Sequence, residues 1–144
     1  MSIQHKVLTV LSSRDATSSA PSGSSAGVEV QGLAIGNGNV PDHVSCLVLS
    51  SAGSGTMSCS VKLFGYVADA AIADWFPLGV ASADANRGLL NEGNSIGESE
   101  ADKIRFSEAV NYIGHFDRVY AQITAIGGSS TAISVFLVSE SVVD

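Results

Sequence analysis

Charge is scarce in this chain. Asp, Glu, Lys and Arg make up 15% of its 144 residues, against about 25% in an ordinary soluble domain. Much of the surface must therefore consist of Ser, Thr, Gly, Asn and small apolar side chains. Such a surface is neutral and adhesive, and it suits burial against other subunits better than life as a free monomer. Basic charge is scarcer still: seven Lys and Arg stand against fourteen Asp and Glu, for a net charge of -7. Lys6, Arg14, Lys62, Arg87, Lys103, Arg105 and Arg118 are spread singly, which argues against nucleic acid as a partner, because phosphate binding needs clustered cations. Cysteine is limited to Cys46 and Cys59, too few for a disulfide scaffold and without the CxxC spacing of zinc or redox sites. Synthesis in a reducing cytoplasm is expected. No run approaches the roughly 18 apolar residues that a membrane span requires, so no membrane partner is expected. The opening MSIQHKVLTVLSSRD lacks a charged segment followed by a long apolar run, which places the mature start at or near Met1. Helical patterning is also nearly missing, with room for one turn at residues 69–74.

What is present is strand signal. Met57, Cys59, Val61 and Leu63 alternate with Ser58, Ser60, Lys62 and Phe64, and period two means one buried face. Val119, Ala121, Ile123 and Ala125 alternate in the same way with Tyr120, Gln122 and Thr124, as do Ile133, Val135 and Leu137 with Ser134 and Phe136. Gly127, Gly128, Ser129 and Ser130 join these last two segments and predict a C-terminal hairpin. A second hairpin is expected between residues 44–50 and 57–67 around Ala52, Gly53, Ser54 and Gly55. It would set Cys46 and Cys59 roughly opposite each other, either as two small buried thiols or as a disulfide. Further strands are expected at 6–12, 28–35, 75–81 and 103–110, with Pro77 pushing its strand to an edge. A chain of this length buries one core. The expectation is a single all-β domain over residues 1–144, an antiparallel β-sandwich of about eight strands with jelly-roll character.

Two loops interrupt the pattern. Residues 15–25, DATSSAPSGSS, form a low-complexity stretch read as a flexible excursion. Residues 82–102 are rich in Asn, Gly and acids, and a loop near twenty residues is usually functional or disordered. Arg87, Leu89, Leu90, Asn91, Glu92 and Ile96 are its candidate partner-binding residues. Its far end, residues 98–102, reads as solvated.

Chemistry is harder to find. His5, His43 and His115 fall in no metal-ligand spacing. His115 with Asp117 offers an orienting pair, but no GxSxG elbow supplies a nucleophile. Asp84, Glu92, Glu98, Glu100 and Asp102 offer carboxylates for a hard cation such as Ca²⁺, although their spacing fits no EF-hand and a solvated acidic loop is the plainer reading. Gly36, Asn37, Gly38 and Asn39 lack the third glycine and the helix of a phosphate loop and read as a turn. Arg105 and Arg118 are expected to pair with Glu108 or Asp117. Trp75, followed by Phe76 and Pro77, is either a core residue or a stacking platform for a carbohydrate. No enzyme activity and no cofactor are expected.

One stretch carries a resemblance. KIRFSE at 103–108, FDRVYAQITAIGG at 116–128 and the closing strand to Val138 resemble the C-terminal half of capsid decoration, or cement, proteins of tailed bacteriophages. The resemblance covers about forty residues and no catalytic motif. It implies a jelly-roll subunit, commonly a homotrimer, that binds the outer surface of the virion head where copies of the major capsid protein meet. The expected function is then that of a virion structural protein that bridges capsomers, made in the host cytoplasm and located on the capsid surface. The long loop at 82–102 and the N-terminal arm are the expected contacts. Alternatives are a lectin-like carbohydrate-binding sandwich using Trp75, and a tail or head-completion subunit.

Overall fold

The computed structural model describes residues 2–14, 19–36, 38–51, 54–78, 98–100, 103–111, 113–129 and 132–143. Among these residues there are nine strands: β1 (Ser2–Arg14), β2 (Val28–Glu29), β3 (His43–Ser51), β4 (Ser54–Val67), β5 (Asp74–Pro77), β6 (Glu98–Glu100), β7 (Lys103–Asn111), β8 (Arg118–Ser129) and β9 (Ala132–Val143). Two short 3₁₀ turns, Val30–Leu33 and Ile113–His115, accompany them, with no α-helix among the described residues. The strands form two antiparallel sheets, a larger one in the order β1-β9-β3-β7-β6 and a smaller one in the order β2-β8-β4-β5.

The register explains the architecture. Ser45 to Ser51 pair with Val138 to Ala132 in the larger sheet. Ser54 to Tyr66 then pair with Ser129 to Arg118 in the smaller one, with bulges after Ser54 and Ser60. β3 and β4 on one side and β9 and β8 on the other are thus one antiparallel ribbon folded over from one sheet into the other. β1 adds outside β9, β2 outside β8, β7 beside β3 and β5 beside β4. With β6 set aside as an addition at the edge of β7, this is the connectivity of an eight-stranded jelly roll.

The ribbon corrects both predicted hairpins. β3 and β4 lie in different sheets, as do β8 and β9, so neither short connection is a hairpin turn. Period-two alternation is identical in a hairpin and in a ribbon folded between sheets, since each strand has one buried face either way. Cys46 is consequently opposite Glu108 and Leu137, and Cys59 is opposite Ile126. The two cysteines are not ladder neighbours, and Cys46 is buried and outside any disulfide.

Inner faces supply the core as the alternation requires. Val44, Cys46 and Val48 of β3, Val61 and Leu63 of β4, Val119, Ala121 and Ile123 of β8, and Ile133, Val135 and Leu137 of β9 are all buried. The predicted strand at 28–35 is only two residues long. Beyond it, Val30 and Leu33 enter the core from a 3₁₀ turn, in which side chains three apart share one side. A buried hydroxyl ties this turn to the larger sheet: Ser139 donates to the Leu33 carbonyl at 2.8 Å, which satisfies the one buried polar side chain among the described residues. Residues 98–100, expected in a solvated loop, pair with Arg105 to Lys103 as β6, so Glu98 and Glu100 are strand residues. The 75–81 strand is seen as β5, whose last residue Pro77 does sit in a terminal strand of its sheet. Gly36, Gly38 and Asn39 do belong to a turn, with Gly38 at φ +83°, its N–H donating to the Ile35 carbonyl, and Ile35 bridged to Asn39.

Candidate functional site

The sandwich has two outer faces, and they differ in kind. On the smaller sheet the outward positions carry Arg118, Tyr66 and Trp75 in one row and Tyr120 and Phe64 in the next. Trp75 sits 5.1 Å from Tyr66 and 6.0 Å from Tyr120 by ring centroid. Residues 19–27 run across this cluster as a strap. The Arg118 guanidinium donates to the carbonyls of Ala26 (2.8 Å), Gly27 (3.0 Å) and Ser25 (3.2 Å). The Trp75 indole donates to Gly23 (2.8 Å) and the Tyr120 hydroxyl to Ser19 (2.6 Å). All five bonds end on strap carbonyls, so these bonds do not depend on the identity of the strap's side chains. Residues 19–25 were expected to be a flexible excursion. They are pinned, because the missing apolar surface is replaced by donors on the sheet; residues 15–18 lie outside the described residues.

Arg118 also reaches Glu29 at 3.7 Å, and not Asp117 as expected. Asp117 is turned to the backbone: its carboxylate accepts from the Ala68 N–H at 2.8 Å, its N–H donates to Tyr66 and its carbonyl accepts from Val30. These bonds fix the end of the sandwich where two shallow hollows of about 390 and 430 Å³ share Gln31, Val40 and Gly114. His115 opens on one of them and Asp117 on the other. Among the described residues no group of three or more His, Cys, Asp or Glu is placed to hold a metal ion, and no helix is long and apolar enough to cross a membrane.

Trp75 is neither a core residue nor an open platform. It is half-buried on the outer face, with its only donor engaged by the strap. Arg105 pairs in register with Leu49 and Glu98. The predicted partner-binding residues Arg87, Leu89, Leu90, Asn91, Glu92 and Ile96, together with Asp84 and Asp102, lie outside the described residues.

The outer face of the larger sheet carries exposed apolar side chains, and among the described residues no strap crosses it. Cross-strand partners share a face, so the register writes its rows directly. One row runs Val7, Val138, Ser45, Ala109 and the next Thr9, Phe136, Leu47, Ser107, while Leu49 stands beside Ser134 in the third. Val7 is 60% exposed, Leu49 45% and Leu47 36%, and Phe136 and Val138 are half-buried. Among the described residues, ionisable groups on this face include His5 and Glu140, 3.3 Å apart at one end, and, by register, Arg105 and Glu98 in the row of Leu49. Sequence reasoning missed this field, yet a signal was there. Cys46-Leu47-Val48-Leu49 and Val135-Phe136-Leu137-Val138 are unbroken apolar runs, the pattern of strands apolar on both faces.

The fold and its surfaces define a jelly-roll sandwich in which, among the described residues, one face is crossed by a strap of the same chain and the other exposes an apolar field. No protein-family model, no curated protein and no solved structure matches the chain.

Proposed function

We propose that the chain is a structural subunit of a tailed-phage virion that binds the outside of the head and bridges neighbouring copies of the major capsid protein. The observation that carries this reading is the open apolar field of Val7, Leu47, Leu49, Phe136 and Val138. An exposed, continuous apolar patch on a soluble domain marks an interaction surface. The scarcity of charge fits, since a neutral surface is buried at little desolvation cost, and modest affinity per copy is multiplied when many copies sit on one shell. The reading assigns no catalytic residue and no cofactor. Of the alternatives, carbohydrate stacking on Trp75 has less in its favour, because the strap already occupies that side chain. A tail or head-completion subunit would need the same neutral face on a different part of the particle.

Co-sedimentation tests the reading. Heads of the phage that encodes the chain, prepared without it, should bind the wild-type protein. They should fail to bind a Leu47→Glu/Leu49→Glu variant that is otherwise folded. A wild-type chain that leaves such heads unbound overturns the proposal, and binding confined to tails moves the subunit to the tail.

A further inference from the structure

The strap over the smaller sheet is fixed unevenly along its length. At its C-terminal end one guanidinium donates to Ser25, Ala26 and Gly27, and Gly27 leads directly into the β2–β8 pairing. Further toward the N-terminus there are two single bonds, from the Trp75 indole to Gly23 and from the Tyr120 hydroxyl to Ser19. Hydrogen bonds with a charged partner are roughly twice as strong as neutral ones, so the two ends differ in kind as well as in number. Among the described residues no main-chain hydrogen bond reaches residues 19–26. Within 19–24 only Pro21 is half-buried and the rest are exposed, so the segment adds little apolar burial. Few buried apolar contacts and exposed hydrogen bonds put a segment at the low end of local stability. The sheet below is at the other end, with Val61, Leu63, Val119, Ala121 and Ile123 of its two long strands buried.

We propose that residues 19–24 are a flap that opens while the sandwich stays folded, hinged beside the Arg118 anchor, and that the flap gates the aromatic cluster of Trp75, Tyr66 and Tyr120. Opening breaks the two neutral bonds and leaves in place the three from Arg118 and the close approach of Gly27 to the Val119 carbonyl. Gly23, at φ +76° with nothing within 4 Å of a Cβ, gives the chain room to turn next to the hinge. Closed, the flap leaves the rings half-buried and engages the indole N–H. Open, it releases the indole N–H and the Tyr120 hydroxyl to donate elsewhere. Anything that binds these rings therefore binds the open fraction alone, and its apparent affinity falls by that fraction.

Hydrogen exchange of one proton tests this. The chain has a single Trp, so its indole N–H gives one NMR signal, and that proton exchanges with solvent only when the bond to Gly23 breaks. Its protection should be at least about ten-fold below that of the amides in the β4–β8 pairing. At low urea its rate should stay flat while the amide rates rise, because opening a flap exposes little surface and unfolding exposes much. Tyr120→Phe keeps the ring and removes only the bond to Ser19, and should speed indole exchange about five- to ten-fold with the amides unchanged. Leu63→Ala weakens the core and should do the reverse, speeding the amides and leaving the indole within about two-fold. Circular dichroism checks that each variant is folded. An indole as protected as the amides and equally sensitive to urea, one indifferent to Tyr120→Phe, or one as fast as free tryptophan overturns the inference. None of these results bears on head binding by the Leu47 and Leu49 face, which fails or holds in its own assay.

Discussion

The two outer faces of the sandwich solve the same problem in opposite ways. The smaller sheet presents aromatic rings with polar tips and a guanidinium, and a nine-residue length of its own chain is laid over them by five bonds to carbonyls. The larger sheet presents Val7, Leu47, Leu49, Phe136 and Val138, which have no donors to offer. A backbone cannot be held by aliphatic side chains, so that face can be covered only by another apolar surface. The difference teaches where order comes from in a bland segment: the strap is Ser-rich and low in complexity, yet the donors that fix it belong to the sheet below. The comparison breaks if the strap is dispensable or if the open face proves to be part of the fold.

The largest effect is expected at Gly27, where the strap turns into β2. Its φ is +67°, and a Cβ there would stand 2.1 Å from the Val119 carbonyl oxygen, a backbone atom that cannot yield without breaking the β2–β8 pairing. Gly27→Val should cost about 3 kcal/mol or more, lowering Tm by about 6–12 °C in a chain of this size. Gly23 has nearly the same φ, +76°, with nothing within 4 Å. Gly23→Ala should therefore cost only the left-handed penalty of about 1–2 kcal/mol. Thermal melts of the two variants separate steric exclusion from conformational preference. Equal losses would show that the strap's close approach to β8 does not matter.

Arg118 comes next. Arg118→Lys keeps the charge but cannot direct donors at three carbonyls in a fixed fork, and should cost about 2 kcal/mol. Hydrogen exchange should place the loss in residues 19–27, with the core strands unchanged. Trp75→Phe removes one bond while keeping a ring against Tyr66 and Tyr120, and should cost about 1 kcal/mol. If chemical denaturation shows no change for either variant, the strap is not held by the sheet.

Much of this fold was legible in the sequence, and the illegible part has a definite cause. The inner residues of β4, β8 and β9 announced themselves by alternation, and Val61, Leu63, Val119, Ala121, Ile123, Ile133, Val135 and Leu137 are buried accordingly. Alternation reports which face is covered and says nothing of which strand lies alongside. The short links after Ser51 and Ser129 therefore looked like hairpin turns when they join sheets. The strap was illegible for a related reason: its partners Trp75, Arg118 and Tyr120 are 52 to 101 residues away, and its own composition carries no trace of them. The open face was legible in the unbroken runs 46–49 and 135–138, but only once their pairing made two apolar runs into one field.

The smallest expected change in stability is the one that carries most of the comparison. Leu47 and Leu49 point away from the core, at 36% and 45% exposure, and their β9 partners Phe136 and Ser134 are themselves outward. Leu47→Ser and Leu49→Ser should each shift stability by no more than about 0.5 kcal/mol, as surface substitutions do. A truncated core leucine would lose about 2–5 kcal/mol, which Leu63→Ala supplies as the internal reference. The same serine variants should weaken association with heads, because they remove apolar area that only a partner would bury. Urea unfolding read beside co-sedimentation gives both quantities on one protein. Loss of stability without loss of binding would make the face part of the fold, and the distinction between a self-covered sheet and a partner-seeking one would fall with it.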